Sequence, residues 1–413
     1  MTEQKRSIIR GIGQIAEGLY KVMVVDAATE KVVYESPWGK NLILNQGMDE
    51  VASRVWCNCF THGICGTGTQ PNTVDSVTDT ASQSGTTVTS VGGTVDFTTD
   101  AAVGDMIKWD GGAEARITSV TSALIVEVTP SQSVGSDLYT IYKTARVGLQ
   151  IETKRTSTYL SGAGNCETVQ SGTTLQNRRS YDFTTEVGNV TYTEVGVGWA
   201  ASGPTTVFSR IVLNTPVSLV SGQKLRLVYQ LNLTLSPSTP QVKNLPVGGW
   251  PVLPSVNTDG QECIQKLGIS SVGSSGTTAT FAGVVAQVLD PGATNSVSFG
   301  RMFALSTAST ALSAFGSAVT RATTAFLCSV APTNSSYTPL SFQLDVSTVF
   351  QVADAVSAAL RSICMGARNS AGSQEPYDAN HQAFTFLFDQ VQTKTNTQTL
   401  TFTVRFTWTR VLA

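Results

Sequence analysis

The chain has 413 residues and a formal net charge of −2, and only 14 % of its residues are charged. This length exceeds that of a typical single domain and predicts roughly two to four domains. The near-zero net charge argues against a nucleic-acid-binding role, which normally needs a basic surface. The low charge content is more typical of a protein that packs against its own copies or its neighbours than of a freely diffusing enzyme.

The first half of the sequence contains several β-strand patterns. The stretch Leu19–Trp38 alternates between apolar and polar residues around a turn at Ala27–Glu30, which predicts a hairpin. Apolar spacing favours a short helix over Gln46–Trp56. Residues 66–85 are polar and rich in glycine and threonine, and we expect a loop there.

Residues 85–142 have the composition of a small independent β domain. Short β-rich runs alternate with glycine turns, which predicts five or six strands in a small barrel or sandwich. One turn, Asp110–Gly112, separates Met106–Trp109 from Ala115–Val120 and predicts a hairpin. We interpret this block as an insertion into a larger domain.

Two long stretches with a period of two residues follow. In Phe208–Ser236, the odd-numbered residues from Leu225 to Leu235 are apolar and follow a turn at Ser221–Gln223. Ala383–Arg410 repeats this order, with Leu400, Phe402, Val404, Phe406 and Trp408 on one face. Between the two stretches, residues 236–254 are rich in proline and indicate a linker.

These patterns together predict an all-β fold made of two β-sandwich-like modules, the first of which carries the small inserted domain. The first module comprises residues 1–65 and 146–240, the insertion residues 66–145, and the second module residues 241–413. The segment DAVSAALRSI in the second module is compatible with either a strand or a short helix.

The sequence contains one group of potential metal ligands. Cys57, Cys59, His62 and Cys65 occur within nine residues and could form a zinc site, although the spacing lacks a C-x₂-C pair. Ordinary buried thiols are the leading interpretation, and a disulfide within or between subunits is a further alternative. The seven cysteines are irregularly spaced and do not indicate a disulfide framework, and we expect no cofactor and no resident metal.

The sequence also contains aromatic and acidic residues that are candidates for binding or catalysis. Three tryptophans in or beside turn-like segments, Trp38, Trp109 and Trp250, are candidates for stacking on a ligand at the surface, although an ordinary structural role is the leading interpretation. Trp199 and Trp408 fit a core position better. The acids Asp182, Glu186, Glu194 and Asp389 lie near predicted strand ends, but spacing alone does not pair them for glycosidase chemistry. No nucleophile or phosphate-loop motif is present, and we predict that the chain is not an enzyme.

The amino-acid sequences of several segments resemble those of virion proteins of tailed bacteriophages. WGKNLILNQGMDEVASR followed by GICGTGTQPN is similar to the N-terminal part of such proteins, and RRSYDFTTEVGNVTYTEVGVGW and TKTNTQTLTFTVRFTWTR are similar in kind. The resemblance covers most of residues 35–240 and the last thirty, and it implies a structural part of the tail, tail tip, fibre or neck. The resemblance implies no cofactor and no catalytic residue.

The expected partners are other copies of the chain and neighbouring virion proteins. The N-terminus MTEQKRSIIRGIGQ lacks the apolar core of a secretory signal, and no window approaches the about 18 apolar residues of a membrane span. We therefore expect synthesis in the host cytoplasm, incorporation into the virion and no membrane insertion. One alternative is a module that binds a host surface glycan, and another is a tail-associated depolymerase.

Overall fold

A computed structural model describes residues 4–52, 56–92, 94–160, 165–171, 174–236, 301–306, 326–330, 334–351, 353, 359–367, 382–393 and 397–412. The described chain is almost entirely β-structure, as the sequence predicts. Two short α-helices, α1 (Asn45–Glu50) and α2 (Phe97–Asp100), and two 3-10 helices (Trp56–Phe60 and Pro204–Thr206) interrupt the strands.

The strands of the first half are β1 (Gln4–Asp26), β2 (Val32–Glu35), β3 (Gly39–Ile43), β4 (His62–Gly66), β5 (Thr73–Val91), β6 (Met106–Trp109), β7 (Glu114–Ser122), β8 (Ile125–Tyr142), β9 (Glu152–Thr156), β10 (Cys166–Ser171), β11 (Thr174–Asp182), β12 (Val190–Gly198), β13 (Val207–Leu219) and β14 (Gln223–Ser236). Those of the second half are β15 (Arg301–Ser306), β16 (Phe326–Val330), β17 (Asn334–Tyr337), β18 (Gln343–Phe350), β19 (Ala359–Ala367), β20 (Gln382–Thr393) and β21 (Gln398–Arg410).

Thirteen strands form one main sheet that folds into two packed layers. One layer has the order β10-β11-β14-β1, and the other has the order β13-β12-β4-β9. Strand β3 joins the layers because it pairs with β1 at Gly18–Tyr20 and with β13 at Ser209 and Arg210. Buried apolar side chains from both layers share one core, which gives the sandwich-like architecture.

The two long alternating stretches behave as predicted. In β14, Leu225, Leu227, Tyr229, Leu231 and Leu233 are all buried in the shared core. In β21, Leu400, Phe402, Phe406 and Trp408 are buried there as well, while the side chain of Val404 lies outside the described part. Side chains on alternate positions of a strand point to the same face, so each strand contributes one complete apolar face to the sandwich.

Three predicted turns are confirmed. The hairpin β1–β2 turns at residues 27–30, and β6 and β7 are joined through Asp110–Gly112. The turn after β13 also forms where predicted, but the two strands that it connects lie in opposite layers of the sandwich. The predicted helix Gln46–Trp56 is shorter than expected, because α1 ends at Glu50 and a 3-10 helix begins at Trp56.

The insert, residues 66–145, contains a second sheet with its own core. Strands β5 to β8 form this sheet, and Ala81, Val88, Ile107, Trp109 and Ile141 are among its buried residues. The predicted loop over residues 66–85 is wrong from Thr73 onward, where β5 begins. Its residues pair with β8, but the buried positions between Thr73 and Gly85 are mostly polar (Ser76, Asp79 and Gln83 beside Ala81), so composition alone suggests a loop. There are four strands rather than five or six, because β5 and β8 are long.

The C-terminal strands lie in two sheets. Strand β21 pairs in parallel with β1 along Gln4–Ala16, and β18 pairs with β21, so both belong to the main sheet. Strands β15, β16, β19 and β20 form a separate four-stranded sheet.

The boundary of the second module, predicted at residue 241, lies outside the described residues, as does the predicted linker at 236–254 except for Ser236, the last residue of β14. Ala359–Ala367 is a strand, which favours the strand interpretation of the ambiguous segment.

Candidate functional site

The predicted cluster of cysteines and histidine does not come together as a ligand set. Cys59 and Cys65 are fully buried in the main core, and burial raises the pKa of the Cys65 thiol well above its ordinary value. His62 lies on β4 three positions before Cys65, so the two side chains point to opposite faces of the strand. The side chain of Cys57 is outside the described part. Among the described residues, no group of three His, Cys, Asp or Glu is placed to hold a metal.

Of the three candidate surface tryptophans, one is buried, one is exposed and one lies outside the described residues. Trp109 is wrong as a surface residue, because it is fully buried in the core of the insert and donates an Nε1 hydrogen bond to the carbonyl of Ala81 at 2.9 Å. The alternation of β6 turns Ile107 and Trp109 inward although a glycine turn follows directly. Trp250 is outside the described part. Trp38 is 40 % exposed.

Trp38 is supported by two cations. Lys21 Nζ lies 5.0 Å from the centroid of the Trp38 ring, and the guanidinium carbon of Arg178 lies 5.7 Å from it. Val22 on β1 and Tyr181 on β11 point into the core, so Lys21 and Arg178 leave the outer face of the same sheet. Both cations therefore approach Trp38 from strands of one layer, and the tryptophan remains partly exposed to solvent. We call Trp38, Lys21 and Arg178 the Trp38 platform.

The two cations of the Trp38 platform are themselves held in place. Lys21 Nζ lies 2.5 Å from Glu35 Oε1, and Arg178 donates from Nε and Nη2 to Gln230 Oε1 at 3.0 and 2.8 Å. Gln230 in turn donates to Asn232 Oδ1 at 2.9 Å. An aromatic surface bordered by fixed amide and charged groups is suited to stack on a ring and to hydrogen-bond its substituents.

A buried ion pair at the base of the insert is a feature that the sequence reasoning missed. Glu194 on β12 and Arg210 on β13 lie with Oε2 and Nη2 3.0 Å apart, and both side chains are at most 2 % exposed. Burial lowers the pKa of Arg210 to about 10, although the charge of Glu194 acts in the opposite direction. We call this pair the clip.

The clip binds both chain segments that connect the insert to the sandwich. On the incoming side, the Gly68 amide donates to Glu194 Oε1 at 3.1 Å, and Arg210 Nη2 donates to the Gln70 carbonyl at 3.0 Å. On the outgoing side, the amides of Gln150 and Ile151 donate to Glu194 at 3.0 and 2.7 Å. The insert is therefore tied to the sandwich at both of its ends by one pair of side chains.

The glycines of GTGTQPN have a structural explanation in the clip. A Cβ added at Gly68 would lie 2.3 Å from Glu194 Oε1, and one at Gly66 would lie 2.9 Å from the same atom. Glycine therefore allows the backbone to approach the buried carboxylate. The Gly-x-Gly phrase at the start of the insert is the sequence signal for this arrangement, but its partner Glu194 lies more than a hundred residues away.

The remaining candidate acids are engaged in separate ion pairs. Asp182 lies 2.5 Å from Arg226 Nε and 2.9 Å from Lys224 Nζ. Glu186 accepts from Lys154 Nζ at 2.6 Å and from the hydroxyl of Tyr192 at 2.7 Å. The side chain of Asp389 lies outside the described part. Each described acid thus has its own basic partner, an arrangement typical of structural ion pairs.

No helix in the described part of the chain is long and apolar enough to cross a membrane. In comparisons with known proteins, the chain matches no family model, no curated protein sequence and no solved structure.

Proposed function

We propose that the chain is a structural component of a tailed-phage particle, associated with the tail, fibre or neck, and that it acts by assembling with its own copies and with neighbouring virion proteins. The observation that carries the proposal is the parallel pairing of β1 with β21 in the main sheet. Strand β1 is hydrogen-bonded over thirteen residues to β21, so the two ends of the described chain are joined in one sheet. A sheet that joins strands from distant parts of the sequence suits a load-bearing part, and the low charge content agrees with dense packing.

The edge strand β2 is the surface that we propose for contacts between subunits. All four of its residues are exposed, and among the described strands it pairs only with β1. Val33 is 52 % exposed and Tyr34 39 % exposed. An edge strand with exposed apolar side chains can pair with a further strand, and the one charged residue of β2, Glu35, forms an ion pair with Lys21.

Immunogold electron microscopy of phage particles tests the proposed location. Antibody raised against the purified chain is applied to particles from the source lysate, with antibody pre-absorbed on the same protein as the control. Label confined to the tail, tip or neck is the expected result. Unlabelled intact particles beside abundant free protein in the lysate would refute a virion role.

The substitution Val33→Lys tests the proposed assembly edge. A charge on β2 should prevent strand pairing between subunits, so the oligomer seen by light scattering coupled to size exclusion should shift to a smaller species. Val147→Lys is the matched control, because Val147 is also 52 % exposed but lies outside any strand. Equal masses for the two variants would show that β2 is not the edge used.

Binding of a host surface glycan is a second candidate function, and the Trp38 platform favours it. A partly exposed indole that is contacted by two cations can stack on the apolar face of a sugar ring. A glycan array probed with the wild-type chain and with Trp38→Ala tests this function. Tyr159→Ala is the control, because Tyr159 is also exposed and also contacts an arginine, Arg179, at 5.5 Å. Signals that survive Trp38→Ala would exclude the platform.

A further inference from the structure

The turn between β17 and β18 has a strained backbone. We call residues 338–342 the junction turn. Leu340 has a φ angle of +63° and Phe342 one of +48°. This left-handed region favours glycine and asparagine, and a branched or bulky side chain is rarely found there. Two such residues in one short turn raise its free energy, so contacts from outside the turn must hold it in place.

Three separate elements provide these contacts. From α1, Asp49 accepts hydrogen bonds at Oδ1 from the Leu340 amide at 2.7 Å and from the Tyr337 hydroxyl. From the insert, Arg116 donates to the Leu340 carbonyl. From β21, the amide of Trp408 donates to the Phe342 carbonyl at 3.0 Å. Both backbone polar groups of Leu340 are therefore bound by side chains from different parts of the fold.

The ring of Phe342 is contacted by two arginines that belong to different parts of the fold. The guanidinium carbon of Arg116 on the insert is 5.9 Å from the ring centroid, and that of Arg410 on β21 is 5.6 Å from it. Arg410 is buried and donates to the Ile43 carbonyl at 2.8 Å. Arg410 also donates to Asn45, which donates to the Gly104 carbonyl of the insert at 2.8 Å.

We propose that the junction turn is a strained latch that couples the position of the insert to the C-terminal strands of the main sheet. Displacement of the insert withdraws Arg116 from Leu340 and Phe342, and the turn then relaxes toward ordinary φ angles. Because the turn directly joins β17 to β18, and β18 pairs with β21, its relaxation loosens this edge of the sheet. Docking of a partner on the insert would thereby be transmitted to the sandwich. The latch concerns the free chain and does not depend on a virion role.

Hydrogen exchange of the full chain, measured by mass spectrometry, tests the coupling. Arg116→Ala and Asp49→Ala each remove one support of Leu340 from a different element. If the turn is one latch, either change alone should speed exchange over residues 334–350 by about tenfold or more. The double variant should then exchange no faster than the faster single variant, because the turn has already relaxed. If the increases in exchange rate caused by the two single substitutions multiply in the double variant, the two contacts act independently and the latch is refuted.

Lys108→Ala is the matched control for Arg116→Ala. Lys108 is also a cation of the insert sheet, on the strand beside Arg116, and its ion pair with Glu114 stays within the insert. We expect unchanged exchange over residues 334–350 in this variant. Faster exchange there would mean that general loosening of the insert, and not loss of the contact to the turn, explains the result.

A second pair of variants measures the strain itself and does not rely on a disrupted fold. At a positive φ, glycine is favoured over alanine, so Leu340→Gly should have a higher denaturation midpoint than Leu340→Ala. In the Arg116→Ala background this advantage of glycine should disappear, because the turn has left the strained conformation. The same advantage in both backgrounds would show that the turn keeps its conformation without the insert and is not a latch.

Discussion

Asp182 is the residue at which electrostatics and stability are most directly linked. Its Oδ1 lies 2.5 Å from Arg226 Nε, and its Oδ2 lies 2.9 Å from Lys224 Nζ. Burial alone would raise the pKa of Asp182, but the hydrogen bonds and charges of Arg226 and Lys224 outweigh burial and hold the pKa below its ordinary value. The folded state therefore favours the ionised carboxylate.

The stabilising contribution of Asp182 should depend on pH in a defined direction. A carboxyl whose pKa is lower in the folded state stabilises the fold above its unfolded pKa of about 3.9, and this contribution is lost as the pH falls through the lower, folded value. We expect Asp182→Asn to reduce the free energy of unfolding by about 1–2 kcal/mol near pH 7.

Urea denaturation at neutral pH and at strongly acidic pH measures this effect. The difference between the wild type and Asp182→Asn should shrink toward zero below the folded pKa, because the wild-type carboxyl is then neutral as well. A difference that stays constant across this range would mean that Asp182 acts through packing rather than through its charge.

For individual tryptophans, the sequence predicts burial better than it predicts exposure. Trp408 is buried as expected, because the alternation along its strand is long and regular. Trp109 was misassigned to the surface because its strand has only four residues and a glycine turn follows. For Trp38, exposure was a correct inference from its turn, but the support from Lys21 and Arg178 depends on strands distant in sequence.

Among the elements, the clip determines how the insert is attached. Glu194 neutralises Arg210 and also accepts three backbone hydrogen bonds from the two connecting segments. Glu194→Gln keeps the shape of the side chain but leaves the Arg210 charge buried without its counter-charge. We expect a loss of about 3–5 kcal/mol in the free energy of unfolding of the sandwich.

Two measurements check the role of the clip. Chemical denaturation gives the free energy of unfolding, and hydrogen exchange of the folded protein reports on the connecting segments, residues 66–72 and 146–151. The double variant Glu194→Leu with Arg210→Met removes the unpaired charge but leaves the amides of Gly68, Gln150 and Ile151 without their acceptor. We therefore expect it to remain destabilised, in contrast to ion pairs whose replacement by apolar residues is neutral. Full recovery in this double variant would show that the backbone hydrogen bonds contribute nothing.

Elements were predictable from the sequence where local pattern and tertiary environment agree. The faces of β14 and β21 follow directly from their period of two, and the turn between β6 and β7 follows from the turn preference of its aspartate and two glycines. Strand β5 was missed because a strand rich in threonine and serine has the composition of a loop, and only its pairing with β8 defines it. The partner of β21 could not be inferred, because its parallel pairing with β1 joins opposite ends of the sequence.

For the whole molecule, this parallel pairing has a consequence for stability. Strand β21 places Leu400, Phe402, Phe406 and Trp408 in the same core as side chains of β1, β12 and β14. Fully burying one such side chain contributes roughly 1.5–3 kcal/mol, and a whole domain has a net stability of only about 5–15 kcal/mol. Loss of all four buried side chains of β21 therefore removes most or all of the net stability of the sandwich.

We therefore expect deletion of residues 398–413 to unfold the sandwich and not only the C-terminal region. In the truncated chain, amides of β1 and β14 should lose their protection from hydrogen exchange. Strands β6 to β8 should keep theirs, because the insert has a separate core that β21 does not enter. Retained protection in β1 and β14 would contradict this expectation, because it would mean that residues 1–236 fold without β21, as two independent modules would require. The insert thus serves as the internal control that distinguishes a cooperative sandwich from an accessory C-terminal strand.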